Sequence, residues 1–137
     1  MANTLFILLW ARLSQIISCF QIQRDTGLWY SVEYSSFSLG PEADKYRLSV
    51  SGFSGDEGDA IAAPAGWYII SNGMQFSCLG EDNDRHPYEC FYGIAGGWWT
   101  NRCDRSCINR DTNGCWNAFS VTGGWTVVSS RMLVKLD

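Results

Sequence analysis

The feature that most restricts the fold of this chain is a pair of alternating segments separated by one short turn. In LWYSVEYSSFSL (Leu28 to Leu39), Tyr30, Val32 and Tyr34 fall on one side of an extended chain and Ser31, Glu33 and Ser35 on the other. A period of two filled with aromatic and β-branched residues predicts a half-buried strand. The turn-forming run GPEAD (Gly40 to Asp44) follows. YRLSVSGF then alternates again, with Tyr46, Leu48 and Val50 opposite Arg47, Ser49 and Ser51. Two such strands joined by a five-residue turn predict an antiparallel hairpin. Near the end, WTVVSSRMLVKL sets Met132, Val134 and Leu136 against Arg131, Leu133 and Lys135, which predicts a closing strand. Met74 to Cys78 reads as a further short buried strand. AIAAPAGWYIISNG has no clean period; short helices are expected there, and no long amphipathic helix. The expected class is α+β: an antiparallel sheet with short helices and a loop-rich second half.

At 137 residues the chain has the length of one domain, and its 46% hydrophobic and 15% aromatic content is that of a globular protein. Fourteen acids against 10 bases give a net charge of −4 with no basic run, which excludes a phosphate-binding surface and so a nucleic-acid partner. Six cysteines with a single histidine, His86, and no CxxC pair favour disulfides in an oxidising compartment. A zinc site built from Cys103, Cys107, Cys115 and His86 is the competing arrangement. The apolar run Leu5 to Ala11 is too short to span a bilayer. It is interrupted by Arg12 and has no preceding base, so residues 1–25 read as a degenerate signal or a truncated start.

The segment GEDNDRHPYECFYGIAGGWWTNRC, residues 80–103, crowds Glu81, Asp82 and Asp84 ahead of a cysteine and a glycine-flanked Trp98–Trp99 pair. Carboxylates this close repel unless a cation or solvent lies between them. Asp82, Asn83 and Asp84 on a turn suit calcium, which takes six to eight oxygens; a solvated acidic turn fits the spacing equally well. An EF-hand is excluded, because counting from Asp82 puts Pro87 at the glycine position and Gly93 at the final acid. Cys90 and Cys103 enclose twelve residues, and a bridge there would constrain the unfolded chain by about 3 kcal/mol. Trp98 and Trp99 inside it read as packing. Catalysis fits poorly: the lone histidine precedes a proline inside the acidic loop, and two acids two residues apart do not flank a substrate.

Taken together, YRLSVSGFSGDEGDA, NGMQFS, EDND, the Cys90-x12-Cys103 run holding GGWW and NRC, and the tail with Gly114, Trp116, Phe119, Trp125 and RMLVKL resemble the carboxy-terminal globular domain of fibrinogen, shared by ficolins, tachylectins, angiopoietins and tenascins. The resemblance runs from about Trp29 to Asp137. It implies a truncated fibrinogen-like domain, with a sheet portion at about 26–78, a calcium and ligand subdomain at about 79–137, and the family's amino-terminal subdomain missing. It places calcium carboxylates at Asp82 and Asp84, carbonyl ligands at or near His86 and Tyr88, and the bridge at Cys90–Cys103. It also implies a cis Arg102–Cys103 peptide and a ligand pocket around Arg102, Cys103, Asp104 and Trp116.

Several positions depart from the family pattern: Ile94 and Asp104 replace expected pocket residues, and a tyrosine-rich loop is shortened. Cys107 and Cys115 are additional and can bridge that shortened loop to each other. Cys19 and Cys78 are off-pattern and can pair or stay free. The implied function is a secreted calcium-binding recognition module, with an extracellular protein or an acetylated carbohydrate as ligand and with oligomerisation possible. The alternative is an incomplete family member with no specific ligand.

Overall fold

The computed structural model describes residues 16–62, 70–88, 90, 96–103, 106, 108–109, 114–116 and 125–136. Five strands form one antiparallel sheet: β1 (Ile16–Arg24), β2 (Trp29–Leu39), β3 (Leu48–Gly55), β4 (Gly114–Trp116) and β5 (Trp125–Leu136). Their spatial order is β3-β2-β1-β5-β4. The expected hairpin is β2–β3, with Phe37 opposite Val50 and Leu39 opposite Leu48. Its period breaks once. Val32, Tyr34 and Phe37 are buried, so the strand shifts by one residue across the exposed pair Ser35–Ser36. The pairing of β1 with β2 changes register at the same level, between Ile16 and Ser18. On β3, Gly52 takes φ +71°, and a Cβ there would collide with Ser35.

Three expectations are corrected. The described residues contain no α-helix, only a 3-10 turn at Glu42–Asp44. Where short helices were expected, the Asp59 carboxylate accepts the N–H groups of Ile61 and Ala62, and the Ile61 carbonyl accepts those of Ser71 and Asn72. Those backbone groups are thus bonded outside any helical ladder; residues 63–69 lie outside the described residues. Second, the sheet starts at Ile16 rather than near residue 26. β1 is its middle strand, between β2 and β5. Met74 to Cys78 is not a strand; scattered backbone bonds hold it, with the Met74 carbonyl accepting the Leu48 N–H, the Phe76 N–H donating to the Lys45 carbonyl, and a two-way bridge joining Ser77 to Trp98 at N–O distances of 2.9 and 3.0 Å.

One face of the sheet carries the core. Phe20 and Ile22 on β1, Val32, Tyr34 and Phe37 on β2, Leu48 and Val50 on β3, Trp116 on β4 and Val127 on β5 are all buried. Among the described residues no strand covers them. Instead, irregular segments bring Ala60, Ile61, Met74, Trp98, Trp99 and Ile108 onto that face. Phe20 is the centre of the packing, with ring centroids 5.9 Å from Tyr34, 6.2 Å from Trp116 and 6.5 Å from Trp98. No helix of the described residues is long and apolar enough to cross a membrane.

Tyr34 ties the sheet to the loop above it. Its buried hydroxyl donates to Asp59 Oδ1, the same oxygen that organises the Ile61 turn. Burial, reinforced by that bond and by the Asp59 charge, pushes the phenol pKa well above its usual value. The protonated phenol is therefore favoured by folding, so its contribution is complete below about pH 10, where an unfolded tyrosine titrates, and declines as pH rises beyond that. Tyr34→Phe is expected to lower stability at pH 7 by about 2 kcal/mol in urea denaturation, since the lost partner is a charged acceptor. The gap between the two proteins should narrow above about pH 10.

Candidate functional site

The candidate site is the irregular segment between Phe76 and Cys103, and the core fixes its position. The Trp98 indole N–H donates to Ser71 Oγ at 3.2 Å and to Ser106 Oγ at 3.1 Å, and the Trp99 N–H donates to the Tyr46 carbonyl at 2.8 Å. The rings lie 5.3 Å apart in a T-shaped pair, with Phe76 5.3 Å from Trp99. The glycines before the pair have a steric purpose. Gly96, at φ +113°, passes against the Asn109 carbonyl and Gly97 against the Phe76 ring, so a Cβ at either would collide. This is the packed wall expected of Trp98 and Trp99.

Beyond the wall, Asn83 acts as an inward bracket: its amide donates to the Phe76 carbonyl at 2.8 Å, and its N–H to Ser77 Oγ at 2.9 Å. The acids on either side stay together at the surface. Asp82 Oδ1 accepts the Asp84 N–H at 3.1 Å. Asp84 Oδ1 accepts the His86 N–H at 2.8 Å, and its Oδ2 the Cys90 N–H at 3.2 Å. Partial burial, with Asp82 nearby, holds the Asp84 carboxyl above the usual carboxylate range despite those two backbone donors. The Tyr88 carbonyl lies 2.6 Å from His86 Nδ1, so among the expected carbonyl donors it faces the imidazole.

Hard oxygen donors and a like-charged pair on one loop fit the chemistry of a calcium ion. Among the described residues no third acid, histidine or cysteine joins them. The rest of a coordination shell would come from backbone carbonyls and water, and Tyr88 would exchange its contact with His86 for the ion.

Cys90 and Cys103 form a disulfide with a Cα–Cα distance of 5.5 Å, which also removes Cys103 from the competing zinc set. The bridge joins the two arms of the site: Asp84 is bonded to Cys90 N–H, and Asn101 accepts the Arg85 N–H at 2.9 Å while donating its own amide to the Ile70 carbonyl at 3.0 Å. Asn101 is fully buried, and the motif reading passed over it, although it directly precedes Arg102. No peptide bond among the described residues is cis, which corrects the expected cis Arg102–Cys103 bond. Cys103 instead turns the chain with a left-handed φ of +61°, so the reversal comes from a φ rotation and a short Asn101–Cys103 bridge.

Arg102 is exposed beside the disulfide, but Trp116 does not join it. Trp116 is 1% exposed, with its indole N–H donated to the Gly58 carbonyl at 2.8 Å, so it offers no surface to a ligand and belongs to the core. Asp104, Ile94 and Cys107 lie outside the described residues, as does the Cys115 side chain, and with them the expected Cys107–Cys115 pairing. Cys19 and Cys78 are both free thiols.

A family model described as the C-terminal globular domain of fibrinogen beta and gamma chains matches residues 10–120. This chain belongs to that family. The match starts upstream of β1, in keeping with the place of that strand in the sheet. The mouse fibrinogen gamma chain is 35% identical over 115 residues, covering 77% of this chain and 26% of the relative. The human fibrinogen gamma chain is 40% identical over 87 residues, covering 58% and 19%. Among solved structures, the fibrinogen-like globe domain of human ANGPTL2 superposes with a TM-score of 0.73 at 26% identity, over 90% of this chain and 59% of that one. Lamprey fibrin D-dimer, solved with the peptide Gly-His-Arg-Pro-amide, has the same fold, with a TM-score of 0.76 at 23% identity, over 88% and 45%. The chain thus spans about a quarter or less of these two curated relatives.

With its ends 13 residues apart in sequence, the bridge should stabilise the protein by about 3 kcal/mol through the unfolded chain. Replacing both Cys90 and Cys103 by Ser is expected to lower the guanidinium midpoint accordingly. Far-ultraviolet circular dichroism should keep its strand signal, because the sheet does not contain either cysteine.

Proposed function

We propose that this chain is an extracellular recognition module whose disulfide-stapled acidic loop holds calcium and presents the surface around Arg102 to a protein or peptide. The observation that carries this reading is the Asp84 carboxylate, held by the His86 and Cys90 N–H groups directly against the Cys90–Cys103 bridge. A loop without a strand ladder needs such bracing to keep one shape, and a cation between Asp82 and Asp84 would relieve their repulsion. Calcium here is structural: it stiffens the loop that carries Arg102 and need not touch the ligand. A peptide partner is supported by the kinship with fibrinogen gamma chains and by the peptide bound to lamprey fibrin D-dimer. An extracellular location is supported by the same kinship with fibrinogen and angiopoietin chains and agrees with the disulfide. Binding, not catalysis, is the activity, as the imidazole of His86 is occupied with the Tyr88 backbone.

Extracellular calcium sites bind on the order of 10⁻⁴–10⁻³ M, so about 10 mM calcium should stabilise the folded chain by about 1.4 kcal/mol or more, a shift of several degrees in melting temperature. Asp84→Ala should abolish the shift, whereas Glu42→Ala, on the β2–β3 turn, should keep it. Immobilised Gly-His-Arg-Pro-amide is expected to retain the oxidised protein until chelator is added, with immobilised N-acetylglucosamine as the carbohydrate arm. Retention on the sugar alone would move the ligand class to acetylated glycans. A melting temperature indifferent to calcium and to Asp84→Ala would defeat the reading and leave an incomplete family member without a specific ligand.

A further inference from the structure

β5 is paired along its whole length on one side only. Its register with β1 runs from Val127 to Leu136, whereas β4 pairs only with Trp125, Thr126 and Val127. From Val128 to Leu136 no other strand among the described residues lies against its outer edge. An antiparallel strand turns the N–H and C=O of every second residue to each side, so that stretch presents a row of backbone groups with no ladder partner. The side chains along this edge are incomplete on both faces. Met132 and Val134, on the core face, are only half-buried, although Phe20 and Ser18 opposite them on β1 are each 1% exposed. Apolar surface is therefore left uncovered at the edge. On the other face Arg131 and Lys135 are exposed, and the positions opposite them on β1 are Gln21 and Ile17, neither an acid. Glu33 on β2 lies two strands away and forms an ion pair with neither.

We propose that this edge accepts, as a further strand, an extended segment of a different polypeptide that alternates apolar with acidic side chains. Main-chain bonds to the open N–H and C=O groups supply attachment in such an addition, and the side chains select the sequence. An antiparallel strand sets one added residue opposite each residue of β5. Apolar residues then cover Met132 and Val134, and acids face Arg131 and Lys135. Because those two bases are four positions apart, so are the two acids that meet them. No two of the 14 acids in this chain are four positions apart, so neither another segment of it nor a second copy supplies the pair. The partner is a separate protein whose segment reads acid, apolar, any residue, apolar, acid. Lys135 reaches its acid from an exposed position, while Arg131 turns from the Trp29 ring, 4.8 Å away, to reach the other. The contact is small, in the class of transient interfaces below about 1,200 Å². It is separate from the Arg102 loop, since β5 contains no residue between Phe76 and Cys103, and it does not depend on calcium.

The probe is the peptide acetyl-Thr-Glu-Val-Thr-Val-Glu-Thr-amide, titrated into the oxidised protein by calorimetry. Binding on the order of 100 μM is expected, and chelator should leave it unchanged. Hydrogen exchange should slow at alternate amides between Val128 and Leu136. Lys in place of both Glu in the peptide should weaken binding at least tenfold, and the Arg131→Glu, Lys135→Glu double variant should prefer the Lys peptide. Methylating both Val nitrogens or both Glu nitrogens blocks opposite edges of the peptide, so one pattern should cost at least tenfold and the other no more than about threefold. That comparison needs no change to the protein. No binding up to about 1 mM, equal effects of the two methylation patterns, or indifference to the peptide's charge would overturn the proposal. So would exchange protection outside β5, loss of binding in chelator, or a dimer in sedimentation equilibrium that excludes the peptide.

Discussion

The contact of Phe20 on the middle strand with two tryptophans, Trp98 from the covering loop and Trp116 from β4, organises the rest of the molecule. An aromatic side chain buries 150–250 Å² in general, so these three rings supply a large share of the buried apolar area. Trp98 is also inside the segment closed by the disulfide. Packing it on the sheet therefore fixes the later part of the stapled loop, from which Arg102 and Cys103 leave the core. The indole N–H makes the position more specific still: it needs hydroxyls at Ser71 and Ser106, and burying it unpaired would cost about 1–3 kcal/mol.

Because loops rather than a second layer cover the sheet, polar side chains take over backbone bonding that a ladder would supply elsewhere. Asn72 is the plainest case. Its amide oxygen accepts the Val50 N–H at 2.9 Å and its amide nitrogen donates to the Val50 carbonyl at 3.1 Å, as a neighbouring strand would. That clamp covers part of the outer edge of β3. Arg47 does similar work at the hairpin end, forking onto Asp44 and donating to the Gly73 carbonyl at 2.8 Å. Asn83 and Asn101 do it within the site. The recognition loop thus owes its shape to individual amides and carboxylates, which makes it sensitive to single substitutions in a way the sheet is not.

The two halves of the molecule carry different kinds of constraint. The sheet is held by cooperative backbone pairing along β1, which bonds β2 on one side and β5 on the other over most of its length. The loop is held by a covalent bond, two buried indoles and the backbone N–H groups that donate to the Asp82 and Asp84 carboxylates. Family membership rests on both halves, since the matched residues span them.

Much of this was legible in the residues alone. Period-two alternation located β2, β3 and β5, because side chains on a strand face opposite ways whatever the tertiary context. The twelve-residue spacing and its glycine-flanked tryptophans marked the staple, because covalent closure and aromatic burial are local needs. β1 was also legible: Phe20 and Ile22 alternate with Cys19, Gln21 and Gln23, but the apolar run upstream made the segment read as a leader. Only the tertiary structure decided that Trp116 is core and not pocket, since its burial depends on Gly58 and Phe20, both distant in sequence. The same holds for Asn83, which sits between two acids and has the composition of a ligand. Its role as a bracket follows from where Phe76 and Ser77 place their backbone and hydroxyl groups, and spacing in one dimension does not encode that.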